Sequence, residues 1–127
     1  MRPLFREHRD IAVITKLNRK PKANDVLLYR KKGYQALVLH RLIRIKRDGS
    51  YVIRGDNNYF TEYEITDKDI VGILKEFYRD GKHCSCQKSF KYKLYSFYIR
   101  RSYIFRFFWK IKLRPFLSVI KRKLINK

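Results

Sequence analysis

The stretch "ALVLHRLIRIKRDGSYVIRGDNN" (Ala36–Asn58) decides the fold. "ALVLHRLIRIK" (Ala36–Lys46) is rich in β-branched and large apolar residues and only partly alternates, as expected of a strand buried for part of its length. "RDGS" follows, and its Asp48-Gly49 pair is a strong hairpin signal leading into "YVIRG" (Tyr51–Gly55). The chain then turns at Gly55-Asp56-Asn57-Asn58, all turn-forming residue types.

Working outward, the same short-strand grammar recurs. "IAVITKL" (Ile11–Leu17) reads as a strand, followed by a polar loop around Pro21. "DVLLYR" (Asp25–Arg30) is a second strand, closed by the turn Lys31-Lys32-Gly33. "DIVGILKEFYRDGK" (Asp69–Lys82) fits a strand or a short helix, ended by Asp80-Gly81. Short strands with closely spaced turns predict a mainly β domain: a small twisted antiparallel sheet or a partly closed barrel.

From about Phe90 the character changes. "YKLYSFYIRRSYIFRFFWKIKL" has helical length without Gly or Pro, Pro115 breaks the pattern, and "FLSVIKRKLI" restarts it with Leu117, Ile120 and Leu124 on one face. The expected organisation is a β domain over residues 1–82 and a basic, aromatic helical tail over 83–127.

The 127 residues carry a net charge of +21, unevenly placed. From His83 onward there are thirteen Lys or Arg and no Asp or Glu; residues 1–82 hold nineteen bases against eleven acids, a balance of +8. Apolar residues make up 45% and aromatics 16%, too much for a disordered chain. The most apolar stretch, "LYSFYIRRSYIFRFFWKIKL", is interrupted by Arg100, Arg101, Arg106 and Lys110, so no membrane span is expected. No apolar h-region of a signal peptide is visible at the start. The expectation is a soluble or membrane-surface-bound chain. The tail attracts anionic surfaces: nucleic acid, with rings including Trp109 stacking on bases, or anionic lipid, both through residues 91–127.

Cys84 and Cys86 stand one residue apart in "HCSCQ", a poor spacing for a structural disulfide. With His83 they offer metal-ligand atoms, but no second Cys or His pair stands at ligand spacing, so no metal or cofactor is expected and the segment reads as an exposed loop.

The candidate chemistry lies in the hairpin. His40 in an apolar strand reads as a buried neutral histidine with one satisfied nitrogen, as a half-exposed one on the strand's polar face, or as a general base. Asp56, at the end of the returning strand, reads either as a plain turn residue or as the carboxylate that orients His40. A carboxylate beside an imidazole fixes its tautomer and stabilises the imidazolium, as a base activating a serine requires.

The ordered segments "DVLLYR…LVLHRLIRI…YVIRGDNN…DIVGIL" resemble the signal-peptidase and LexA-like serine peptidase superfamily over about residues 1–82. The resemblance is nearest to small bacterial members of signal-peptidase type. It implies the catalytic-domain fold of that superfamily, peptide-bond hydrolysis on a peptide or protein substrate, His40 as base and Asp56 as its aspartate. Arg41, Gly55, Asn57 and Asn58 are matched as motif support. Glu62 is the nearest acid to a further aspartate of the family. The family's nucleophile lies in Ser-Met-x-Pro, and "MRPLF" resembles that motif from its second residue, matching Met1 and Pro3. The nucleophile is therefore expected immediately before Met1, and the chain as written is expected to be inactive. Ser50 in the hairpin turn, Ser85 between the cysteines and the serines of the tail are not expected to replace it.

Overall fold

The Asp48-Gly49 hairpin forms as expected and anchors an antiparallel sheet of seven strands. The structure is a computed structural model that describes residues 4–6 and 8–125, with side chains to Arg122; Met1 and Pro3 lie outside the described residues. The strands are β1 (Ile11–Thr15), β2 (Val26–Arg30), β3 (Leu37–Ile45), β4 (Tyr51–Arg54), β5 (Glu62–Ile65), β6 (Ile70–Arg79) and β7 (Lys82–Ser85). A 3₁₀ turn spans Asp67–Asp69, and helices α1 (Phe90–Arg101), α2 (Tyr103–Phe108) and α3 (Arg114–Ile125) follow.

The sheet order is β1-β6-β2-β3-β4-β5, with β7 also on β6. The stretch 69–82, open between strand and helix from its sequence, is the ten-residue β6, which organises the sheet. One edge of β6 pairs with β1 across Ile73–Tyr78; the other is shared by β2 at Ile70–Ile73 and β7 at Glu76–Arg79. Gly72 permits the close passage of β1: a Cβ there would sit 2.7 Å from the Thr15 carbonyl oxygen and 2.6 Å from Ile14 Cγ2. The domain is mainly β, as expected, and its antiparallel sheet is not closed.

Strand periodicity builds two cores on opposite faces. Leu27, Tyr29, Leu42, Tyr51, Ile53, Ile65 and Ile73 form one contiguous cluster. Val26, Leu74 and Phe77 alternate with these to the other face, where Leu4, Phe5 and Tyr92 of α1 cover them. Burying a large apolar side chain contributes about 1.5–3 kcal/mol, so α1 and the Leu4-Phe5 segment are structural members of the domain.

The expected division after residue 82 falls inside the β6–β7 hairpin. His83 and Cys84 belong to a strand, and the Cys86 amide donates to the Lys75 carbonyl at 3.0 Å, so "HCSCQ" is part of the sheet's edge. Ser89 caps α1 by accepting from the Tyr92 amide at 3.2 Å. Pro115 does not end the helical path: Trp109–Leu113 form a π-helical segment leading directly into α3. A proline has no N–H for the carbonyl four residues back and crowds it, and a widened turn just before it accommodates both effects.

Candidate functional site

β3 places His40 and Arg41 on opposite faces of the sheet, and that parity organises the site. Arg41 is opposite Val26 on β2 and Arg54 on β4 and points toward α1. His40 is opposite Leu27 and points to the face of the Leu27–Tyr29 cluster, its ring 6.2 Å from that of Tyr29.

A β-bulge at Ile43 decides which loop residue meets His40. Near the turn, Ile45 pairs with Tyr51 and Arg44 with Val52; past Ile43, Leu42 pairs with Ile53 and Arg41 with Arg54. Had the first register continued, His40 would face Asp56. The bulge slips it by one residue and puts Gly55 there instead. A Cβ on Gly55 would come within 2.8 Å of His40 Cε1 and 3.0 Å of Nδ1, so only glycine fits beneath the ring.

His40 is half-buried, with both ring nitrogens engaged. Nδ1 lies 2.7 Å from the Leu39 carbonyl oxygen, and Nε2 lies 3.2 Å from the Asn58 side-chain nitrogen at the surface edge. A carbonyl only accepts, so Nδ1 carries the proton; Nε2 then bears the lone pair and accepts from the Asn58 amide. Burial lowers the His40 pKa below its ordinary 6.5, outweighing the opposing pull of the Leu39 carbonyl and of the Glu62 and Asp56 charges. The result is a neutral imidazole with its basic nitrogen at the surface.

Asp56 is not hydrogen-bonded to His40, which corrects the expected His–Asp pair. Its carboxylate takes a bidentate bond from Arg41, Nε to Oδ1 at 2.7 Å and Nη2 to Oδ2 at 2.9 Å, with Arg41 0% and Asp56 2% exposed. Tyr95 of α1 donates its hydroxyl to Oδ2 at 2.9 Å. Arg41 also donates through Nη1 to the Asn24 carbonyl at 2.9 Å and to Ser96 Oγ at 2.8 Å, and the rings of Tyr92 and Tyr95 flank it. Burial works against the Arg41 charge, but the bonds to Asp56 outweigh it and hold the guanidinium above its usual range. Such a pair is held by geometry and complete hydrogen bonding, because desolvation offsets much of its Coulomb attraction.

The helices also grip the loop's backbone. Arg106 donates to the Asp56 carbonyl at 2.9 Å, and the Tyr103 hydroxyl donates to the Tyr59 carbonyl at 2.6 Å. Tyr103 lies under Arg54, whose guanidinium carbon is 3.3 Å from the ring centroid. The loop that offers Asn58 to His40 is thus clamped on its other side by α1 and α2. Tyr95, Ser96, Tyr103 and Arg106 were not singled out as site residues in the sequence, where they are lost among the tail's many aromatics and bases.

Glu62 accepts from the Tyr29 hydroxyl at 2.9 Å and from Lys31 at 3.0 Å, so it is not His40's hydrogen-bond partner. Tyr29 connects His40 to a cleft of about 290 Å³ lined also by Lys31, Glu62 and Tyr63. No serine hydroxyl is hydrogen-bonded to His40 among the described residues. Ser50 donates to Asp48 at 2.6 Å, Ser85 accepts from the Lys88 amide, and Ser96 and Ser102 accept from Arg41 and Arg106.

Among the described residues no group of three His, Cys, Asp or Glu is arranged to hold a metal ion. Cys84 and Cys86 are free thiols, and burial pushes Cys86 up to about 11, away from reactive thiolate chemistry. His83 Nε2 instead lies 3.2 Å from Glu76. No family model, curated protein or solved structure matches this chain.

Proposed function

We propose that the chain carries the base half of a serine endopeptidase site of signal-peptidase type, on the corresponding catalytic-domain fold, with His40 as general base. The observation that carries this reading is the 2.7 Å approach of His40 Nδ1 to the Leu39 carbonyl oxygen, which assigns the proton to Nδ1 and leaves Nε2 as a surface-facing proton acceptor. Burial keeps that nitrogen unprotonated near neutral pH, which a base needs before it can take a hydroxyl proton.

In this reading a serine hydroxyl takes the place at Nε2 now held by the Asn58 amide, whose 3.2 Å contact is long for a hydrogen bond. His40 removes the hydroxyl proton as oxygen attacks the peptide carbonyl, then returns it to the leaving amine. The Leu39 carbonyl does the orienting expected of Asp56. Asp56 is a positioning residue: through Arg41, and with Tyr95 and Arg106, it fixes the loop from Gly55 to Tyr59. The nucleophile motif of that family is Ser-Met-x-Pro, which "MRPLF" resembles from its second residue on.

The test is a chain extended by Gly-Ala-Ser ahead of Met1, assayed against a fluorogenic peptide library. Cleavage that is lost on changing either the added serine or His40 to Ala supports the reading; cleavage unchanged in His40→Ala overturns it.

A further inference from the structure

α1 and α2 are apolar on two faces, and among the described residues only one of them has a partner. The inner face carries Tyr92, Ser96, Ile99, Tyr103 and Arg106 onto the sheet and the Gly55–Tyr59 loop. At 100° per residue, Phe90, Leu94, Phe97, Ile104, Phe105 and Phe108 fall on the opposite side. All are exposed, Phe90 at 75%, Ile104 at 77% and Phe105 at 70%. A helix docked through one face needs no such residues on the other for the sake of its fold, and an exposed apolar stripe of this kind marks an interaction surface.

We propose that this outward face lays the protein on an anionic lipid surface. Charge selects the partner. No Asp or Glu occurs from His83 to the end, and Lys91, Lys93, Arg100, Arg101 and Lys112 border or interrupt the stripe. A second copy of the chain would bring its own +21 against the same bases, so self-association through this face is opposed. The stripe's composition separates lipid from nucleic acid: Leu94 and Ile104 have no ring to stack on a base, whereas the acyl boundary of a bilayer accepts aliphatic and aromatic groups alike. The exposed Phe116, Leu117 and Ile120 of α3, beside Lys121 and Arg122, extend the same composition along the chain. No helix of the described residues is long and apolar enough to cross a membrane, so the attachment proposed is in the plane of the interface. The proposal does not depend on catalysis at His40.

Trp109, the single tryptophan and half-exposed at the end of α2, reports on the contact. The full chain is titrated with phosphatidylglycerol–phosphatidylcholine vesicles, with pure phosphatidylcholine vesicles, and with single-stranded RNA. The expected result is a blue-shifted Trp109 emission with the anionic vesicles alone, weakened by salt, and about tenfold weaker vesicle binding in the double variant Phe105→Ser, Phe108→Ser. Both changes are on exposed positions, and circular dichroism verifies the fold. Equal binding to neutral vesicles, an unchanged affinity in the double variant, or tight RNA binding without a vesicle-induced shift would each overturn the proposal.

Discussion

Gly55 lies directly beneath the imidazole of His40, where a Cβ would approach ring carbon Cε1 to 2.8 Å. Either the ring or the loop must therefore move in Gly55→Ala. Overpacking of this kind costs about 1–3 kcal/mol, and the displaced ring loses its contact with the Leu39 carbonyl. Chemical denaturation and the His40 ring resonances check this. Unchanged resonances in Gly55→Ala would mean that Gly55 does not set the ring's position.

The buried Arg41–Asp56 pair predicts a non-additive pattern. Arg41→Met or Asp56→Leu alone strands a buried charge and is expected to destabilise the chain by about 3–5 kcal/mol. The double variant removes both charges and is expected to be more stable than either single variant. Urea denaturation of the three variants measures this. Additive losses would contradict the pairing seen at 2.7 and 2.9 Å.

Asn58 is predicted to influence protonation at His40. Its amide donates to the lone pair at Nε2 and so favours the neutral imidazole. Asn58→Ala removes that bond and opens the ring to water, so the His40 pKa is expected to rise toward the ordinary 6.5. An NMR titration of the ring follows it directly.

Stability should depend on pH through the same residue. Folding lowers the proton affinity of His40, so the unfolded chain binds that proton more tightly and stability increases with pH in this range. The contribution is complete above 6.5 and is lost as the pH falls through the lower, folded-state value. The carboxylates held low, Asp10 by Arg6, Asp48 by Ser50, Asp69 by Thr66 and Asp80 by Arg6, add their own losses only as the pH falls below about 3.8. Between these limits, His40→Gln is expected to flatten the curve of stability against pH.

The strands around the hairpin were legible because a two-residue period and the Asp48-Gly49 turn are strong local signals. β5 and β7 were not: "EYEI" alternates but is only four residues long, "KHCS" has no apolar alternation, and pairing with β4 and β6 makes them strands. In the site, His40, Gly55 and Asn58 do meet. The expected partnership of His40 with Asp56 failed at one backbone feature, the bulge at Ile43, which no residue type announces. Arg41 stood next to His40 in the sequence, yet its role depends on strand parity and on a helix some fifty residues away. The tail's helical nature was visible in its length without Gly or Pro. Its docking rests on Tyr95, Tyr103 and Arg106, which composition does not distinguish from their neighbours.

The most direct test of the account is the protonation pattern of His40 itself, read from nitrogen-15 shifts and proton couplings of the ring in the full chain at neutral pH. The account predicts a neutral ring protonated at Nδ1, with an unprotonated Nε2 that persists to pH values below the ordinary histidine range. A ring protonated at Nε2, or an imidazolium at neutral pH, would contradict the assignment of His40 as a base.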